Sequence, residues 1–205
     1  MKFVLFVEGY TEKKALPDFL KKWLDPKLPQ PVGIKIVRFE GWSHYIEEIR
    51  KKVALNLSGK VGADVIAGIG LLDLYGPTFY PTGTSTVAQR YAWAKGEIEG
   101  RVNHAKFRQY FAVHETEAWL LADPSILPKP VRNALPGNYT EPETVNFVEP
   151  PSSVLDRLYR TELDRAYKKV TDGANLFQAL SPSIAHGKCP HLKQLLNDML
   201  TLAQS

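Results

Sequence analysis

Three apolar runs in this chain each end in acid. The run 3–7, Phe-Val-Leu-Phe-Val, stops at Glu8, with Gly9 behind it and Thr11 and Glu12 just beyond. The run 65–72 stops at Asp73, and the run 107–113 leads into His114-Glu115-Thr116-Glu117. Carboxylates delivered to one place by separate strands repel one another, and a divalent cation relieves that repulsion. An all-oxygen donor set suits Mg2+ or Mn2+ better than Zn2+. Glu8, Asp73 and Glu115 are therefore the candidate metal ligands. A cation held there could orient a phosphodiester, offset charge on its non-bridging oxygens and acidify an attacking water.

Each acid also has a plainer explanation. Glu12, Glu115 and Glu117 stand where helices are expected to open, and acid in a first turn complements the helix dipole without further function. Asp73 could cap the turn after its strand. Glu8 resists such a reading, because a carboxylate ending a buried strand needs a partner or a cation. Glu115 and Glu117 open the same helix two residues apart, so they do not share a face. Only one then reaches the site, unless the pair straddles the strand–helix junction, and Glu115 is preferred. His114 reads as a hydrogen-bonding residue at a strand end, and Tyr75 as a donor toward the site or a packing residue. A lysine would steady the extra negative charge of a transition state. Lys169 or Lys188 from the C-terminal region could serve, with His191 as a further polar group near the cleft. The basic residues Arg157, Arg160, Arg165, Lys168 and Lys169 can equally be a solvated helix face.

Hydrophobic patterning supplies the elements that carry these groups. Strands are expected over 3–7, 33–39, 64–72 and 106–113. Helices should follow each: one from residue 10 to Asp25-Pro26, one capped by Ser43 and fading at 56–59, one over 85–99, and one from Glu115. Residues 76–83, Gly-Pro-Thr-Phe-Tyr-Pro-Thr-Gly, cannot be regular structure. This alternation predicts an α/β fold, a mostly parallel sheet flanked by helices, over 1–123. Parallel sheets of this kind place ligands at the carboxyl ends of their strands. Prolines at 124, 128, 130, 136, 142, 150 and 151 mark an extended arm or ordered loop over 124–151. Helices over 152–170, 172–180 and 191–202 would complete a C-terminal extension, 124–205, packed on the sheet domain. Cys189-Pro190-His191 reads as the turn that starts the last helix, with Cys189 buried.

Composition sets outer limits. The 205 residues are 44% hydrophobic, enough for one good core, and carry a net charge of +4. Such a mildly basic surface tolerates a polyanion, although many proteins without one share it. The lone Cys189 forbids an intrachain disulfide and argues against a cysteine-based zinc site. The apolar opening looks like a secretion signal, yet Glu8 cuts it short and no small-residue cleavage pattern follows. No run is long enough to span a membrane. The expectation is a soluble, cytoplasmic protein with no membrane partner.

The motifs themselves resemble a known family. An apolar strand with Glu8-Gly9-x-Thr11-Glu12, followed by an apolar strand with Asp73, resembles the Toprim domain of topoisomerases, primases and overcoming-lysogenization-defect (OLD) nucleases. More closely, the chain is similar to a small standalone Toprim-related family of unknown function. Shared with it are Leu72-Asp73-Leu74-Tyr75-Gly76, His114-Glu115-Thr116-Glu117-Ala118, and a tail like Lys169…Asp172-Gly173…Cys189-Pro190-His191. The likeness touches nearly the whole chain. It implies a Toprim/Rossmann-like fold, a Mg2+ site at Glu8 and Asp73, and phosphodiester hydrolysis of DNA or RNA. It further implies a prokaryotic defence or mobile-element setting with a separately encoded ATPase as partner. One position departs: the wider superfamily has Asp-x-Asp where this chain has Asp73-Leu74-Tyr75, so a metal ligand is lost and two-metal catalysis would need Glu115 or Glu117 in its place.

Two other readings compete. The protein could be a Toprim-shaped scaffold, inactive itself, that binds a partner protein or nucleic acid. It could also be a receiver-like phosphoacceptor with Mg2+ beside Asp73, but that fold wants a fifth strand ending in lysine, and none is evident.

Overall fold

A computed structural model describes residues 1–140, 142–143 and 149–205. Four strands, β1 (Lys2–Val7), β2 (Gly33–Arg38), β3 (Val65–Asp73) and β4 (Phe107–Ala112), form an all-parallel sheet in the order β2-β1-β3-β4. Leu5 pairs with Ile36 on one side and Ile69 on the other, which makes the N-terminal apolar run a central strand. Both faces of that strand are covered, so it is apolar throughout rather than alternating. Phe3, Leu5 and Val7 enter the core on one face, and Val4 and Phe6 enter the core on the other.

Helix α1 (Tyr10–Leu24) lies on the first face, and α2 (Trp42–Leu57) and α3 (Val87–Val102) lie on the second. Helix α2 starts two residues earlier than expected. Ser43 is not its cap; Gly41 holds that position at φ +93°, a conformation that suits glycine. Thr86 caps α3 through a reciprocal box with Gln89, which fixes its start at 87 rather than 85. Close approach explains one strand glycine: a Cβ on Gly70 would strike the Tyr45 hydroxyl and the Gln109 amide, which bond each other at 2.6 Å between α2 and β4.

The C-terminal part adds α4 (Glu117–Leu121), α5 (Lys129–Ala134), α6 (Pro151–Leu163), α7 (Ala174–Ala179), α8 (Pro182–Lys188) and α9 (Pro190–Gln204). They share one apolar core with β1 and α1. Trp23 Nε1 donates to Leu196 O at 3.2 Å and Tyr110 Oη to Asp198 at 2.8 Å, which ties α9 to α1 and β4. Cys189 is buried and unpaired. Of the expected arm over 124–151, residues 141 and 144–148 lie outside the described residues. The remainder is not simply extended, since it contains α5 and a turn of 3-10 helix at Pro124–Ile126. The expected helix over 152–170 ends at Leu163, where Asp164 turns left-handed at φ 52°. No helix among the described residues is long and apolar enough to cross a membrane.

One buried carboxylate holds the arm to the rest. Glu143 accepts hydrogen bonds from Trp119 Nε1 at 3.2 Å, His191 N at 2.6 Å and Leu192 N at 3.3 Å. It therefore caps α9 and satisfies a buried indole in α4. Glu143→Ala should cost about 2–3 kcal/mol in urea denaturation, because three donors lose their acceptor at once. A loss below about 0.5 kcal/mol would show that water replaces the carboxylate there.

Candidate functional site

The chain order reverses between β1 and β3: β1 is followed by a neighbour on one side, β3 by a neighbour on the other. Loops diverge at such a switch and leave a crevice outside the strand ends. Glu8 leaves β1 there and Asp73 ends β3. Beyond β4 the backbone turns sharply at His114, φ 66°, and carries Glu115 and Glu117 back toward Asp73. Thr116 N donates to Asp73 Oδ1 at 3.0 Å, which locks that turn to the end of β3.

Lys169 arrives from far along the chain. After α6 stops, Tyr167 N donates to Asp156 at 2.9 Å, and Asp172 accepts both Arg165 Nη atoms at 2.8 and 3.1 Å. Asp172 also accepts Lys168 N at 2.8 Å, so the single π-helical turn Lys169–Gly173 is fastened at its entry. That turn sends the Lys169 ammonium among the acids. Its Nζ lies 3.1 Å from Glu117, 3.9 Å from Asp73 and 4.0 Å from Glu115. Glu115 also accepts Ser152 N, at the start of α6, at 2.8 Å. The Thr116 hydroxyl lies within reach of Glu12 at 3.3 Å and Glu117 at 3.4 Å, with its one proton to give to either. Glu8 takes the backbone N–H of Trp42 from the start of α2 and feels both Glu12 and Lys169.

Space, not backbone conformation, accounts for Gly9. Its φ of −131° is extended and open to any residue. A Cβ there would stand 2.8 Å from Glu12 Oε2, so the glycine gives Glu12 room to fold back along the site. The resulting hollow of about 240 Å³ is lined by Glu8, Gly9, Tyr10, Glu12, Asp73 and Lys169, among others.

Five carboxylates thus share one ammonium, and the imbalance appears in their acidities. Burial, then Glu12, raises the Glu8 carboxyl, against the pull of Lys169. Burial lifts Asp73 well above the usual range, and its acidic neighbours add to that. Burial pushes Glu117 up to about 7. Burial also works against the charge of Lys169, but Glu117, Asp73, Glu115 and Glu12 outweigh it and hold the ammonium above its ordinary value. Shifted acidities of this kind cluster at functional sites, and structural ion-pair networks produce them too.

The group fits a hard divalent cation in charge and donor type. Every donor is a carboxylate oxygen, the set is short of positive charge, and buried Glu117 Oε1 has no hydrogen-bond partner among the described residues. No three acidic or histidine side chains among the described residues are yet drawn together at ligating distance. A cation would compete with Lys169 for the same oxygens.

The site therefore gathers Glu8, Glu12, Asp73, Glu115, Glu117 and Lys169. Glu117, ranked behind Glu115 in the sequence, is the carboxylate closest to Lys169. It reaches the site together with Glu115 because α4 opens at Glu117 and leaves Glu115 outside the helix. Tyr75 does not line the site's hollow; it is 51% exposed, with its N–H on His114 O at 2.9 Å. Two expected residues lie elsewhere. Lys188 Nζ donates to Ala122 O at 2.8 Å, beyond the end of α4, and the His191 ring stacks on Tyr91 at 4.7 Å. Thr116, the Trp42 amide and the Ser152 amide were not anticipated; only Thr116, a hydroxyl between two glutamates, left a trace in the sequence.

No curated protein matches the chain. Among solved structures, the C-terminal region of the Burkholderia pseudomallei OLD protein is similar over 95% of this chain and 98% of that one. The two share 14% identity at a TM-score of 0.43, too distant to carry residue roles across. A family model described as "Domain of unknown function (DUF4276)" matches residues 7–200, a span that holds every acid of the site and Lys169, and the chain belongs to that family.

Proposed function

We propose that this protein is a Mg2+- or Mn2+-dependent nuclease that hydrolyses phosphodiester bonds in DNA or RNA. The observation that carries this reading is the convergence of Glu8, Asp73, Glu115 and Glu117, from three strand ends, on Lys169 at the switch point of the sheet. Asp73 and Glu8 would hold the cation, with Glu115 or Glu117 in place of the acid that Tyr75 displaces. When bound, the cation would supply Lewis-acid charge to the phosphodiester and acidify a water. Lys169 would contribute a fixed positive charge to the phosphoryl oxygens as their charge grows. Glu12, given room by Gly9, would add a further negative charge beside Glu8 for the cation to offset. A separately encoded ATPase is the proposed partner.

The test is cleavage. Supercoiled plasmid, single-stranded DNA and RNA are each incubated with the protein and Mg2+ or Mn2+. Cleavage should appear and should fall at least about 100-fold in Glu8→Ala and in Asp73→Ala. Cleavage that survives both changes belongs to a contaminant. Inactivity on every substrate, with the ATPase added, favours a scaffold.

A further inference from the structure

The loop that follows β3, which begins just after Asp73, builds a second, open hollow of about 500 Å³ that Arg90 of α3 borders. Its lining includes Tyr75, Pro77, Tyr80, Thr82, Thr84 and Arg90. The loop is not slack. Tyr80 Oη donates to Leu74 O at 2.9 Å, and Thr84 Oγ1 to Pro81 O at 2.6 Å. Behind it, Phe79 stacks between Trp42 at 5.8 Å and Tyr80 at 4.9 Å, with Trp93 at 5.6 Å. Gly76 and Gly83 take φ values of 104° and 92°, which bend the chain at both ends of this wall.

The polar chemistry of this hollow is opposite in sign to that of the acidic site. Arg90 is fixed by its own Nε, which donates to Thr84 O at 3.2 Å, and its guanidinium lies 5.0 Å from the centre of the Tyr80 ring. No carboxylate pairs with it among the described residues. A guanidinium held in place without an acid is suited to a phosphate, which it can grip through its remaining N–H groups. Tyr75, two residues beyond Asp73 in the chain, is half-exposed and lines the same hollow. The volume lies within the usual range for a small organic ligand, about 300–1,000 Å³.

We propose that this hollow receives one unpaired nucleotide of the strand being cut, its phosphate on Arg90 and its base against Tyr75. The identity of the ligand rests on the nuclease reading. A base reaches an aromatic wall only when it has left its stack, so the hollow selects a single strand or a frayed end over a duplex. It also gives the strand a purchase beside a site whose own charge repels phosphate, which is where a cationic neighbour has most effect.

Fluorescence anisotropy with labelled probes tests this in EDTA, where nothing is cut. The probes are a twelve-nucleotide single strand and a duplex of the same sequence, as DNA and as RNA. The native protein should bind the single strand at least about tenfold tighter than the duplex. Arg90→Ala and Tyr75→Ala should each weaken single-strand binding about tenfold and leave duplex binding unchanged. Tyr75 is exposed enough that its change leaves the fold intact, so a misfolded Arg90→Ala would not shelter the proposal. Equal binding of the two probes, or single-strand binding that neither Arg90→Ala nor Tyr75→Ala weakens, overturns the proposal, as does failure to bind either probe. A preference for single strands that depends on Arg90 and Tyr75, in a protein that never cleaves, would sink the nuclease reading and leave the hollow standing. Cleavage with no such preference would do the reverse.

Discussion

Asp73→Asn should abolish the rise in melting temperature that Mg2+ gives the native chain. The amide oxygen of the variant side chain would still accept the Thr116 N–H that Asp73 takes at 3.0 Å, so the shape of the strand end is kept while one negative charge is lost. Without a divalent cation that loss is a relief, because Asp73 is buried among acids that raise its pKa well above the usual range. The metal-free variant should therefore melt no lower than the native chain near neutral pH. With Mg2+ the order reverses. A ligand at a hundred times its Kd stabilises the form that binds it by about 2.7 kcal/mol. For a chain of this size that is a shift of roughly 5–10 °C. The native protein should show it, and Asp73→Asn should show almost none. Thermal melts over a Mg2+ titration, with NaCl at matched ionic strength as the control, measure this without any reference to cleavage. Equal shifts in both proteins would remove Asp73 from the metal site.

Glu8 and Asp73 were legible because each ends an apolar run of strand length, and a parallel sheet exposes its strand ends on one edge. The same reasoning placed the four strands within a residue or two. It misjudged Glu117, because two acids two apart share no face only if both already lie in the helix, and α4 begins at the second of them. Helices α5 and α8 were missed for a related reason. Pro130 and Pro182 look like breakers in a string, but a proline in the first turn has no intrahelical bond to lose. Lys169 and Lys188 were equivalent in the sequence. What separates them is the stop of α6 at Asp164, a left-handed residue with no glycine to announce it, and the Arg165–Asp172 pair that fastens the next turn. Contacts of that range leave no local pattern. Glu143 is the extreme case, a carboxylate in a proline-rich stretch whose partners lie in α4 and α9.

Lys169→Met should destabilise the metal-free protein by about 2–4 kcal/mol at pH 8, and much less at pH 5. Methionine keeps most of the aliphatic stem and removes only the ammonium, which leaves fully buried Glu117 without its 3.1 Å partner. Breaking a buried pair costs about 3–5 kcal/mol, and the lower figure is apt because Lys169 keeps 39% of its side chain exposed. The pH dependence follows from two signs. The Lys169 pKa is raised in the folded state, so its contribution is complete at pH 8 and would fade only above the usual lysine range. The Glu117 pKa is also raised, from 4.5 to about 7, so its ionisation opposes folding as the pH climbs through that window and is absent below it. Without Lys169 the window moves higher, and the deficit of the variant should grow from pH 5 to pH 8. Glu117→Gln in the same chain should recover most of the loss. Urea denaturation of the native protein, both single variants and the double variant, at the two pH values, measures the coupling. A deficit that is equal at both pH values, or that Glu117→Gln leaves untouched, would mean that Lys169 is held there for packing alone. The same variant separates structure from chemistry: with its competitor gone, the cation should bind more tightly and shift the melt further, while cleavage falls because the charge facing the phosphoryl oxygens is lost.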